Sequence, residues 1–154
     1  MWAAMVSLGR SGYRRYAGEI LEASARMIEA VRSHPELEVM GDPTFLFSFT
    51  SPAFDVYHVN DFLRSRSWRL NGQQYPNTLH MVVTRPQTRP GVVEAGAEDL
   101  DDAVDHARVH AGEKSGSGAV YGGLDAGTTD GADAFIKAVM ADPLDSQTAP
   151  PPEQ

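Results

Sequence analysis

The chain has 154 residues, 42% of them apolar, and a formal charge of −8, which is enough for one soluble domain with an ordinary core. With an isoelectric point near 5.0, it lacks the basic face that nucleic-acid phosphates need, and it is poorly suited to an anionic membrane surface. Cysteine is absent, which excludes disulfides, thiolate metal sites and a cysteine nucleophile.

Helical spacing is in force from the start. Trp2, Met5 and Val6 share one face, with no Ser, Thr, Asp or Asn ahead of them as a cap. Such a beginning is expected of a chain cut within a helix. The apolar Met1–Gly9 precedes Arg10, Arg14 and Arg15, the wrong order for a secretory signal. No apolar run approaches the roughly 20 residues that span a bilayer. Arg10-Ser11-Gly12 is expected to break the helical pattern, with Ser11 capping the next helical segment. Tyr13, Tyr16, Ala17, Ile20, Leu21, Met27, Ile28 and Val31 then recur at three- and four-residue intervals, predicting a long amphipathic helix that ends near His34-Pro35. Its exposed apolar face predicts a sticky surface.

Leu37–Met40 and Phe45–Phe49 read as short strands around the turn residues Gly41-Asp42-Pro43, with Phe45, Phe47 and Phe49 on one face. Asp55 is placed to cap a helix that buries Val56, Val59, Phe62 and Leu63. Two further β-type runs, Trp68–Leu70 and Leu79–Thr84, flank a polar loop carrying Asn71, Gly72, Pro76 and Asn77. Pro90 sits in the first turn of the next helix, about two dozen residues long. Val93, Ala97, Leu100, Val104 and Ala107 form its buried stripe. Gly96 interrupts it at a cost of about 1 kcal/mol against alanine, and nothing local accounts for that glycine. A glycine-rich loop, Gly116–Gly127, leads to a short helix capped by Asp130, with Phe135, Ile136, Val139 and Met140 apolar. The end, Ala149-Pro-Pro-Pro-Glu-Gln, has the composition of a disordered tail. The whole predicts an α+β layout: an open, largely antiparallel sheet with helices on one face.

Few side chains offer chemistry. His106 and His110 have the i, i+4 spacing used for zinc, but a third ligand is not suggested and acidic residues surround them, so a solvated acidic face is expected and no metal. Asp99, Asp101 and Asp102 are too close in sequence to converge on one helix face. His58 and His80 are expected to be packed or hydrogen-bonded histidines. Asn71, Gln73 and Gln74 suit a turn better than a cleft. The lysines are Lys114 and Lys137, both expected to be structural. Tyr121, in a glycine-bounded loop, is the candidate substrate-binding residue: its hydroxyl would serve as a donor to a phosphate or leaving group.

Several blocks occur in a specific order. These are Trp2-Ala3-Ala4-Met5, Gly9-x-x-Gly12-Tyr13, Phe54-Asp55-Val56-Tyr57, the run from Trp68-Arg69-Leu70-Asn71 to Pro76-x-x-Leu79-His80, and Gly118-Ala119-Val120-Tyr121-Gly122. Together they resemble the C-terminal small domain of pyridoxal-phosphate-dependent lyases and decarboxylases, most of all the sphingosine-phosphate lyases. The resemblance implies the small-domain fold of the aspartate-aminotransferase-like class. It divides the chain into an interdomain helix over 1–34 truncated at its start, a small α+β domain over 35–144 and a disordered Pro-rich tail over 145–154.

By that resemblance the cofactor is pyridoxal 5'-phosphate, held mainly by a large domain upstream. The Schiff-base lysine, in a Ser-x-His-Lys type motif, is absent from this fragment, which implies that the fragment alone is inactive and holds no catalytic or cofactor-binding residue. The implied partners are the missing N-terminal large domain, a second copy in a homodimer, and a phosphorylated amino-alcohol substrate cleaved to a fatty aldehyde and phosphoethanolamine, in the cytoplasm. Two alternatives stand beside this. One is a fragment of an amino-acid decarboxylase, whose usual carboxylate-gripping arginine has no counterpart here before Arg85. The other is a free-standing, non-catalytic α+β binding or regulatory domain.

Overall fold

The computed structural model describes residues 2–74 and 76–118. Its elements in order are helix α1 (Trp2–Arg32), strand β1 (Glu38–Val39), β2 (Leu46–Thr50), helix α2 (Tyr57–Ser65), β3 (Asn71–Gln73), β4 (Thr78–Val82), a 3-10 turn (Arg85–Thr88) and helix α3 (Val92–Val109). The strands form one antiparallel sheet in the order β1-β2-β4-β3.

The two-residue period of the strands sorts the sheet into unlike faces. Phe47 and Phe49 pair with Met81 and Leu79, and all four are buried. They meet Met27, Ile28 and Val31 of α1, Val59 and Leu63 of α2, and Leu100, Val104 and Ala107 of α3 in one core. Leu46 and Val82, paired on the opposite face, stay exposed. The expected α+β arrangement with helices on one face is therefore what the chain adopts.

Local expectations are met unevenly. The first helix does break, but at Gly9 (φ 57°, ψ 179°) rather than at Arg10-Ser11-Gly12; a left-handed φ favours glycine, and Gly9 comes first. Phe47 and Phe49 are buried as expected, whereas Phe45 precedes the strand and is about half exposed. The third strand is not Trp68–Leu70 but the next three residues, Asn71–Gln73, in the expected polar loop. Trp68 instead packs towards α3, with its indole Nε1–H donating to Asp99 Oδ2 at 2.7 Å. Helix α3 has 18 residues and starts at Val92. Gly91, left-handed at φ 79°, precedes it, and its carbonyl accepts the first helical bond from Ala95. Pro90 thus lies just outside the helix. The expected helix after Asp130 and the Pro-rich tail lie outside the described residues.

Candidate functional site at the second helix

The α2 stripe facing the core is Val56, Val59, Asn60 and Leu63, all buried. An asparagine on an apolar stripe needs a partner. Asn60 Nδ2 finds one in Ser117 Oγ, 3.1 Å away and 57 residues along the chain. Asp61 extends the same link. Its carboxylate accepts the backbone N–H of Gly116 at 2.6 Å, the N–H of Ser117 at 3.0 Å, and the Ser117 hydroxyl. Just ahead of the helix, whose N-cap is Val56 rather than the expected Asp55, Asp55 Oδ1 still accepts the Tyr57 N–H at 3.1 Å, while Oδ2 accepts the Ser115 hydroxyl at 2.6 Å. Ser115 Oγ in turn accepts the N–H of Gly118 at 3.1 Å.

Two carboxylates, one just ahead of α2 and one within it, therefore clamp residues 115–118, with Ser115 and Ser117 buried beneath them. The glycines suit this closeness. A Cβ on Gly116 would come within 3.3 Å of Asp61 Oδ2, and one on Gly118 would strike Ser115 Oγ. Gly118 opens the Gly118–Gly122 block, so the clamp ends where that block begins. Tyr121 itself lies outside the described residues, as does Lys137.

A histidine cluster adjoins the clamp. His58 of α2 lies with ring centroids 6.4 Å from His106 and 6.2 Å from His110, and His106 and His110 are 4.0 Å apart. The His58 Nε2–H donates to the Glu113 carbonyl at 3.1 Å, and the His110 Nδ1–H to the His106 carbonyl at 2.8 Å. Those bonds fix one tautomer of each ring. Burial, then the neighbouring His110 and His58, hold His106 below the ordinary imidazole range; Asp61 and Glu113 oppose this. Among the described residues no three His, Cys, Asp or Glu side chains are grouped to hold a metal ion.

The remaining candidates disperse. Asp99 serves Trp68 and Arg66, Asp102 serves Arg66, and Asp101 lies beside His34. His80 Nε2 is 3.4 Å from Asn71 Nδ2 on the outer sheet face. Gln73 and Gln74 line a shallow concavity there of about 420 Å³ with Ser48 and Thr78, whose hydroxyls both donate to Gln73 Oε1 at 3.3 Å. Lys114 is exposed and is the only lysine among the described residues.

Sequence reasoning singled out Tyr121 and Asp55 but missed Asp61, Asn60, Ser115 and Ser117. The available signal was Asn60 on the apolar stripe of α2, beside Asp61.

No protein-family model matches the chain. It is 40% identical over 123 residues to the sphingosine-1-phosphate lyase of Arabidopsis thaliana, a match covering 79% of this chain and 22% of that protein. The sphingosine-1-phosphate lyase of Dictyostelium discoideum is 31% identical over 124 residues. A solved structure, the sphingosine-1-phosphate lyase Bpss2021 of Burkholderia pseudomallei K96243, superposes with a TM-score of 0.72 at 47% identity, over 97% of this chain and 29% of that one. The chain thus spans about a fifth of the length of the curated relatives it matches.

The class is the α+β small-domain architecture of the aspartate-aminotransferase-like pyridoxal-phosphate enzymes. Within it, the chain is similar over most of its own length to a segment of the sphingosine-1-phosphate lyases. Among the described residues no helix is long and apolar enough to cross a membrane.

Proposed function

We propose that this chain is the small-domain part of a pyridoxal-phosphate-dependent carbon–carbon lyase acting on a phosphorylated sphingoid base and releasing a fatty aldehyde and phosphoethanolamine. The observation that carries the reading is the 47% identity and shared fold with a sphingosine-1-phosphate lyase over 97% of the chain. The cofactor supplies an electron sink when bound, and its lysine belongs to the large domain upstream. Residues 1–34 join the two domains, 35–144 form the small domain and 145–154 a tail. The intact protein is a cytoplasmic homodimer in this reading.

The part played by this segment is to hold Tyr121 near the substrate, where its hydroxyl donates a hydrogen bond to the phosphate or leaving group. The clamp on residues 115–118 supports this, because it fixes the chain three residues before Tyr121. The decarboxylase alternative is weakened at Arg85. That guanidinium is paired with Glu19, lies 4.0 Å over the Tyr16 ring and donates to Thr88, so it is not set aside to grip a substrate carboxylate.

The test is an aldehyde-release assay on the full-length protein, together with a pyridoxal-phosphate titration of the 154-residue chain. The full-length protein should release fatty aldehyde, while the chain alone should show no imine absorbance. Tyr121→Phe in the full-length enzyme should lower turnover with the cofactor absorbance unchanged. Release of carbon dioxide from an amino acid, without aldehyde from the phosphorylated base, would sink the lyase reading.

A further inference from the structure

We infer that His58, His106 and His110 form a proton-operated latch: while the rings are neutral they hold the turn after α3 against α2, and when they take up protons residues 110–113 come away. The inference is independent of the lyase reading. His58 lies on α2 and is buried, His106 is half-buried in the last turn of α3, and His110 is the C-cap of that helix. The His106 and His110 rings are 4.0 Å apart and tilted by 32°. His58 stands 6.4 and 6.2 Å from them. The His58 Nε2–H donates to the Glu113 carbonyl at 3.1 Å, and the Glu113 N–H closes the turn onto the His110 carbonyl at 2.9 Å. The chain leaving α3 is thus tied back to α2 through the rings.

Neutral rings suit this packing and charged ones do not. A cation here loses water and faces rings that can gain protons themselves. The titratable groups that face His106 are His110 beside it, His58 and Asp61 on α2, and Glu113 in the turn. The two acids favour a charged ring, but burial and the two histidines outweigh them, so the closed cluster resists the proton. Arg66 lies 5.2 Å over the Phe62 ring, which His106 also meets at 5.4 Å, and pairs with Asp99 and Asp102. Helix α1 meets α3 through His34 with Asp101 and Arg26 with Glu94, which the helical period turns away from His106. To hydrate a charged His106, the rings must part. Val59 and Leu63 of α2 and Leu100, Val104 and Ala107 of α3 hold the two helices in the core. The turn at 110–113 is therefore the part that yields.

The experiment is hydrogen exchange by mass spectrometry on the intact full-length protein between about pH 7.5 and 5.5, read on overlapping peptides across 104–118 and corrected for the intrinsic pH dependence of exchange. One proton bound only by the open form, at the ordinary imidazole value, favours opening by about tenfold at most over that interval. Protection of the His110 and Glu113 amides should fall about five- to tenfold. The amides of Val104 and Ala107, in the buried stripe of α3, should keep theirs. The Gly116 and Ser117 amides, held by Asp61, should change less than that of Glu113. In His106→Gln the fall should shrink to less than about twofold.

If His106→Gln does not fold, His106→Phe, which keeps a ring beside Phe62, carries the same comparison. Protection of the turn that is constant with pH in the wild type overturns the latch. So does a fall of equal size in the variant, or one shared by Val104 and Ala107, which would be loosening of the whole domain.

Discussion

Gly96 lies in the middle of α3, where alanine would add about 1 kcal/mol of helix stability. The neighbour across the helix interface explains its presence. A Cβ at this position would stand 3.0 and 3.2 Å from the outer ring atoms of Trp68 and 3.7 Å from Met27 Cε. Trp68 has little freedom to retreat, because its Nε1–H is bonded to Asp99 Oδ2 one turn along the same helix. Overpacking of this kind costs about 1–3 kcal/mol, which outweighs the propensity gain. Gly96→Ala is therefore expected to destabilise the domain by about 1 kcal/mol, and Gly96→Val by about 3 kcal/mol. In a Trp68→Leu background the sign reverses, and Gly96→Ala stabilises by about 1 kcal/mol. Denaturant unfolding of the four-member cycle checks this; an Ala variant more stable than wild type would place the helix–indole contact elsewhere. The position also marks a limit of sequence reading. The penalty of Gly96 is visible in the sequence, but its cause lies 28 residues away at Trp68.

At the level of elements, periodicity was the legible part. The three- and four-residue repeats of Ile20, Met27, Ile28 and Val31, and of Val93, Leu100, Val104 and Ala107, mark the buried sides of α1 and α3. Phe47 and Phe49 alternate as read, and Leu79 and Met81 are buried opposite them. The misplacement of β3 has a physical reason: Trp68-Arg69-Leu70 has the side chains that favour strands, while Asn71-Gly72-Gln73 does not. Strand propensity reflects packing on a sheet, and here pairing with β4 decides, through Asn71↔His80, Gly72↔Leu79 and Gln73↔Thr78. The Asp61 clamp and the gathering of His58 with His106 and His110 were illegible for a similar reason, since both join α2 to residues about 50 positions later.

The α2–α3 seam carries a pH prediction. His106 is held below the ordinary imidazole range by burial first and by the adjacent histidines second. Above about pH 6.5 the ring is neutral in folded and unfolded chains alike, and it contributes no slope. As the pH falls below that, the unfolded chain takes up the proton and the folded chain resists it. Stability therefore declines until the folded-state value is passed, and is flat in this group below it. Glu36 and Glu94 lose their stabilising effect only at lower pH. Both are held below the usual carboxylate value of 4.5, Glu36 chiefly by a backbone hydrogen bond and Glu94 chiefly by its bond to Arg26. Unfolding free energies between about pH 7.5 and 5.5 isolate the histidine contribution. His106→Gln is expected to show a shallower decline than wild type across that interval. Parallel declines would assign the slope to other groups.

For the molecule as a whole, the decisive asymmetry is between the two faces of the sheet. One is sealed by three helices; the other presents Leu46 and Val82, 45% and 39% exposed and paired across the strands, with Met40 nearby. Helix α1 adds Trp2, Met5 and Val6, each more than half exposed, as its apolar spacing predicts. Exposed apolar side chains in such numbers mark places where another surface belongs, and in the lyase reading that surface is the large domain. The sheet edges invite association less, because β1 and β3 are only two and three residues long and short edge strands are poor templates. The 154-residue chain is therefore expected to self-associate through this face despite its charge of −8, and sedimentation should detect the larger species. Leu46→Lys combined with Val82→Glu places opposite charges across the strand pair, contributing about 0.2–1 kcal/mol. The double variant should sediment as a monomer at undiminished stability. The same pair in the full-length enzyme should weaken activity by disturbing the contact between domains. Unchanged self-association in the double variant would shift the sticky surface to α1, where Trp2→Ser and Val6→Ser become the variants that restore the monomer.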